Sequence, residues 1–196
     1  MNTRKVLNVG GNSKKIPLPI QYETFEHLLL DIDPTGDPDV LCDSRELTKL
    51  NGEQFDMIYC SHNLEHYYEH DVRLVLTGFM HVLKSGGGIH LIVPDMQTVF
   101  QTIIEKKLDI DDVLYESALG PIRVIDVIYG YSKQIESSGV DFFAHKTGFS
   151  IKSLTQVLIN AGFQNIHGQR SGFNLILIAF KNKPDKELAN LFNINI

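Results

Sequence analysis

Residues 5–11 read KVLNVGG. A short apolar run closed by two glycines predicts a strand ending in a tight turn. The next stretch narrows the fold. Residues 13–20, SKKIPLPI, carry two prolines and are poor helix formers. A pyrophosphate is held by a helix N-terminus or a nest of backbone amides, and this turn offers neither. The pattern therefore argues against NAD, FAD or a phosphate cradle, and for a nucleoside-type cofactor without phosphates.

Outward from that turn, strands and helices alternate. Residues 27–33 (HLLLDID), 40–42 and 55–60 (FDMIYC) read as strands. Residues 71–83 place Val72, Val75, Leu76, Phe79, Val82 and Leu83 at helical spacing. Lys84 and the run Ser85-Gly86-Gly87-Gly88 predict a C-cap for that helix. Residues 89–93 (IHLIV) form a strand stopped by Pro94, and 96–107 a helix. A helix over 150–161 takes Ser150 as N-cap and Gly162 beyond its end. Strands follow at 166–167 and 174–181. Continuous apolar strands between helices imply a parallel sheet buried on both faces, and the last two strands suggest an antiparallel hairpin at its edge. Residues 109–147 break the rhythm with Gly120-Pro121, Gly130 and Ser137-Ser138-Gly139. They read as an insertion beside the site, a lid within a single domain spanning 1–196.

Composition sets outer bounds. The chain of 196 residues is 43% hydrophobic and 21% charged, an ordinary globular balance. A net charge of −6 disfavours a broad nucleic-acid surface. Cys42 and Cys60 are too few for a disulfide framework and form no CxxC pair, so a reducing, cytoplasmic setting is expected. The N-terminal stretch lacks signal-peptide features, and no apolar run is long enough for a membrane span.

In an open parallel sheet, ligands bind outside the carboxyl ends of the strands. Asn8, Gly10, Gly11 and Asn12 lie at the end of the first strand. Asp31 stands near the end of the second, where a carboxylate can accept both hydroxyls of a ribose; Asp33 competes for the role but also reads as a turn cap before Pro34. Asp43 and Ser44 follow the third strand, and Ser61 and His62 the fourth.

VLNVGG, LLLDIDP, DVLCDS, FDMIYCSHNLEH and LKSGGGIHLIVPD, in that order, resemble the class I S-adenosylmethionine-dependent methyltransferases, and most nearly the methyltransferase type 11-like branch. The resemblance runs from about Lys5 to Asp95, and HKTGFSIKSLTQVLINAGFQNI resembles that group's C-terminal half. Two departures stand out: GG replaces GxGxG, and KSGGG replaces KPGG. The resemblance implies an α/β fold, a Rossmann-like doubly wound sheet of seven mostly parallel strands with an antiparallel C-terminal hairpin strand. It implies S-adenosyl-L-methionine as cofactor and S-adenosyl-L-homocysteine as its product. Gly10, Gly11 and Asn12 would line the methionine part, Asp31 the ribose, Ile32 the adenine face, and Asp43 and Ser44 the adenine amino group. Ser61 and His62 would flank the transferred methyl.

Residues 59–70, YCSHNLEHYYEH, place His62, His66 and His70 four apart. His62 is a candidate general base at the methyl end, and His145, in AHKTGFS, a second. His66 reads chiefly as a polar tie at a helix start, with substrate contact or metal ligation as alternatives; no metal is assigned. The expected activity is methyl transfer to a small-molecule acceptor, at oxygen of a sugar or secondary metabolite or at nitrogen. The alternative is a non-catalytic methyltransferase-like binding or regulatory subunit, motivated by the shortened glycine loop. Neither nucleic acid nor a membrane is an expected partner, and a homodimer is possible. The C-terminal residues Leu188, Leu191 and Phe192 would dock on a partner subunit or on the chain's own domain.

Overall fold

A computed structural model describes residues 3–117 and 120–195. Its elements run β1 (Lys5–Val9), β2 (Glu26–Asp31), β3 (Val40–Leu41), β4 (Phe55–Ser61), α1 (Glu69–Val82), β5 (Leu83–Pro94) and α2 (Met96–Lys106). They continue with β6 (Val113–Ser117), β7 (Gly120–Arg123), α3 (Val124–Tyr129), α4 (Ser132–Ser138), α5 (Ile151–Asn160), β8 (Gln164–Ser171), β9 (Asn174–Phe180) and α6 (Lys186–Leu191). Seven strands make one sheet in the order β3-β2-β1-β4-β5-β9-β8. β1 to β5 are parallel; β9 runs antiparallel to both β5 and β8. This is the doubly wound, mostly parallel sheet with a C-terminal hairpin that the sequence implies.

Alternation along the central strands sends neighbouring side chains to opposite faces. Leu7 and Ile58 join one apolar cluster with Val75, Phe79 and Leu154, so α1 and α5 cover that face. Val6 and Met57 join another with Tyr22, Phe25 and Leu188. The second face is therefore closed by the loop after β1 and by the C-terminal segment, which docks on its own domain. Arg4 reinforces this at 3.0 Å from both Asp185 and Glu187.

The glycine run corrects one expectation. Residues 84–88 do not form a C-cap; α1 passes directly into β5 through Leu83 in extended conformation. Phe55 pairs with Leu83 and Met57 with Gly88, so the residues between them make a bulge. A Cβ on Gly88 would lie 2.6 Å from the Ala179 carbonyl oxygen and from the Phe180 ring, which explains glycine there without a helix stop.

The segment between α2 and α5 builds its own small unit. The β6–β7 hairpin is antiparallel, and Leu114, Ile122, Val124 and Val127 pack with Val99 of α2 as a satellite core.

His90 of β5 is buried, with Nδ1 3.2 Å from the Tyr22 hydroxyl. Burial drives its pKa down to about 4. In the unfolded chain the ring titrates near 6.5, so the unfolded state binds more protons between about pH 6.5 and 4, and stability falls as pH falls through that window. His90→Gln should flatten this acid loss by up to about 3 kcal/mol, read as the pH dependence of urea unfolding for the variant against the parent chain.

Candidate active site

β1, β2 and β4 end at Val9, Asp31 and Ser61 on one edge of the sheet. A cleft of about 330 Å³ opens over that edge. Asp31 is nearly buried there, and the backbone fixes its carboxylate: the Asn12 amide donates to Oδ2 and the Asp33 amide to Oδ1, each at 3.0 Å. Each oxygen retains acceptor capacity toward the cleft, a geometry suited to two adjacent hydroxyls. Asp33 instead accepts the Thr35 amide at 2.8 Å as the cap of a short turn. Ile32 leaves its side chain 39% exposed on the cleft wall.

Asp43 faces the same space but is engaged by Arg45. The Arg45 amide, Nε and Nη2 all donate to its carboxylate, the last at 2.6 Å. Burial would raise the Asp43 pKa; these donors outweigh it and hold it below the usual carboxylate range.

Gly10 turns the chain at φ +69, in the left-handed region that favours glycine. The atoms that approach the two glycines are protein: a Cβ on Gly10 would collide with the Asn63 carboxamide, and one on Gly11 with the Asn8 carboxamide. The glycine pair thus lets two asparagine side chains close over the turn.

His62 follows β4, also in a left-handed conformation at φ +49, with its amide bonded to the Ile92 carbonyl at 2.8 Å. Its half-exposed imidazole places Nδ1 3.3 Å from Oε1 of Glu65, which is 1% exposed. That spacing is an ion-pair contact without hydrogen-bond alignment, since neither Glu65 oxygen has a hydrogen-bond partner among the described residues. Partial burial disfavours the charged imidazole, but Glu65 outweighs it and raises the His62 pKa. Reciprocally, burial would raise the Glu65 pKa, and His62 first among its neighbours holds it low. His145 behaves oppositely: burial lowers its pKa and Glu65 only partly compensates.

Gly10, Asn12, Asp31, Ile32, Asp43 and His62 therefore line one cleft. Asn8, Gly11, Ser44, Ser61 and His145 do not line it, and His145 has Nδ1 2.8 Å from the Val127 carbonyl. Asp33 and His66 line the cleft as well. Tyr67 and Tyr68, from the turn before α1, with Phe142, Phe143 and Lys146, from the segment before α5, add to the wall. Sequence reasoning passed over this second group. Tyr67 and Tyr68 follow directly on the LEH run, a signal that was available; Phe142 and Phe143 reach the cleft only through tertiary folding.

Residues 23–91 match a family described as methyltransferase domain. The match starts beyond the glycine turn. No curated protein matches the chain. Among solved structures, a SAM-dependent methyltransferase from Archaeoglobus fulgidus is similar at 16% identity, with 91% of this chain and 86% of that one covered and a TM-score of 0.57. A SAM-dependent methyltransferase from Methanosarcina mazei aligns at 14% identity, 93% and 94% coverage and a TM-score of 0.56. A putative methyltransferase of Haloferax volcanii, solved in complex with the Trm112 methyltransferase activator, aligns at 12% identity, 93% and 85% coverage and a TM-score of 0.59. The fold is that of these methyltransferase structures, and the matched segment resembles the methyltransferase domain sequence. The residues of the cleft would fit S-adenosylmethionine: Asp31 offers two pre-oriented acceptor oxygens, Ile32 an apolar face, and the turn at Gly10 no phosphate cradle.

Gly10→Ala should destabilise the protein by about 1–3 kcal/mol, through its positive φ and the collision with Asn63. Adding Asn63→Gly should return only the steric share, measured by denaturant unfolding of the single and double variants.

Proposed function

We propose that this chain transfers the methyl group of S-adenosylmethionine to a small-molecule acceptor, at a hydroxyl oxygen of a sugar or secondary metabolite or at an amine nitrogen. The observation that carries this reading is the composition of the cleft. One end holds the backbone-fixed Asp31 carboxylate; the other is walled by Tyr67, Tyr68, Phe142 and Phe143, with His62 between. Aromatic faces with a few polar groups suit a compact organic acceptor, whereas a chain of net charge −6 suits a polyanion poorly.

Bound S-adenosylmethionine supplies an electrophilic methyl on a positively charged sulfur. The protein's task is then to hold the acceptor in line with that methyl and to exclude water. Asp31 anchors the ribose, and Ile32 packs on the base. The His62 imidazole faces the cleft where it can take a proton from a hydroxyl or amine nucleophile. Residues 109–147 act as a lid: their distal part brings Asp141, Phe142, Phe143 and Lys146 to the cleft. His145, mostly covered beside that wall, positions it.

Calorimetric titration with S-adenosylhomocysteine tests the reading. Micromolar binding is expected for the parent chain, weakened about tenfold or more by Asp31→Ala, since a hydrogen-bonded charged anchor contributes on the order of 1.5–3 kcal/mol. His62→Ala should leave this binding within about threefold and lower turnover about 100-fold on an accepted substrate. A folded parent chain that ignores the ligand at millimolar concentration would sink the enzyme reading and leave a binding module in its place.

A further inference from the structure

Glu65 is buried at 1% exposure, and neither of its carboxylate oxygens has a hydrogen-bond partner among the described residues. A buried charge left in that state is expensive unless something cationic meets it. Its surroundings are imidazoles. His145 places Nε2 4.0 Å from Glu65 Oε1. The other nitrogen of that ring, Nδ1, lies 2.8 Å from the Val127 carbonyl oxygen. A carbonyl only accepts, so Nδ1 carries the proton and Nε2 turns a lone pair toward Glu65.

His66 sits beside them, its ring centroid 5.0 Å from that of His145. Its Nδ1 is 3.1 Å from the Ala144 carbonyl and its Nε2 3.0 Å from the His62 carbonyl. A neutral ring donates to one of these; its other lone pair then faces an oxygen. The Glu65 carboxylate, one nitrogen of His145 and the undonated nitrogen of His66 thus lie near one another, while His62 meets Glu65 Oε1 from the cleft side at 3.3 Å. One ligand atom from each of Glu65, His66 and His145 falls within 4.8 Å of the others. Closing that triangle by about 1.5 Å brings it to the roughly 3.3 Å spacing of atoms around a single tetrahedral metal ion with bonds of about 2 Å.

We propose that Glu65, His66 and His145 bind a first-row divalent cation, best fitted by zinc. Two imidazoles and a carboxylate are a borderline-soft set that zinc accepts, leaving a fourth position open. The Val127 carbonyl, holding His145 by its far nitrogen, is the outer support that ligating histidines characteristically have. The ligands come from two parts of the chain. Glu65 and His66 lie in the turn after β4; His145 ends the segment that carries Phe142 and Phe143. Backbone bonds already join them, since the Lys146 and Thr147 amides donate to the Glu65 carbonyl at 2.8 and 3.1 Å. The ion would clasp the aromatic wall of the cleft to its floor.

The whole chain is stripped with chelator, its refolding is checked by circular dichroism, and Zn²⁺ and Co²⁺ are titrated in at neutral pH. One equivalent should bind, raise the thermal midpoint, and give cobalt the intense visible absorption of a low-coordinate site. His145→Ala and Glu65→Gln, each confirmed folded by cooperative unfolding, should weaken binding by about 100-fold or more. His70→Ala removes an exposed imidazole and should leave binding unchanged. Absence of one-equivalent binding by the folded parent chain overturns the proposal, as does binding that survives both ligand variants; a proton on His62 would then be the cation that Glu65 faces. Metal content and cobalt absorption are read with neither methyl donor nor acceptor present, so they remain informative if methyl transfer fails its own test.

Discussion

The central strands β1, β4 and β5 have no face left for water, and the rest of the molecule follows from that constraint. Val6, Leu7, Met57, Ile58, Ile89 and Leu91 are all fully buried. Each strand spends its side chains on two cores, so a polar group that must meet a ligand can sit only where the strand stops. Asn12, Asp31 and His62 occupy such ends. The protein has no need to distort its sheet to make a site; it needs only short, specific loops at one edge, and the left-handed Gly10 and His62 are where those loops turn most sharply.

Much of this was legible in the chain because the signals were local. Apolar runs that end in Gly10, Asp31 and Ser61 marked the parallel strands, and the Ser150 cap marked the start of α5 with its side chain accepting the Ser153 amide. The glycine run at 86–88 misled because glycine signals both a helix end and a close approach between strands. The register shift opposite Phe55 and Met57 selects the second, and pairing partners cannot be seen in one strand's sequence. Asp31 ends β2 and Asp33 stands two residues on, and both line the cleft. What could not be foreseen was the engagement of Asp43 by Arg45, two residues away and equally free in an extended chain to face solvent.

The histidines show the limit most clearly. His62, His66 and His70 share a spacing that would align them on a helix, yet each has a different environment. The turn Leu64–His66 is a short 3-10 segment and α1 begins only at Glu69. The helical alignment dissolves: His62 faces the cleft, His66 is held between two carbonyls, and His70 stacks in solvent on Tyr68. His145, distant in sequence by about the length of the sheet's second half, is the ring that comes to lie beside His66. Periodicity identified the residue types but not their partners, which depend on the path of the segment between α2 and α5.

The connection from β1 to β2 contains only a 3-10 turn at Ile20–Tyr22, where a crossover helix would ordinarily cover the sheet. The cover comes from the other end of the chain, as Leu188, Ala189 and Ile194 close over Val6 and Met57. The first strand of the sheet is thus sealed by residues made long after it. During synthesis, the apolar underside of β1 and β4 waits, open, until Leu188, Ala189 and Ile194 have cleared the ribosome. Long-range closure of this kind slows folding and leaves the nascent sheet exposed to wrong partners in the interval. A chain cut short by a dozen residues would lose little of its cleft and yet never close its own core.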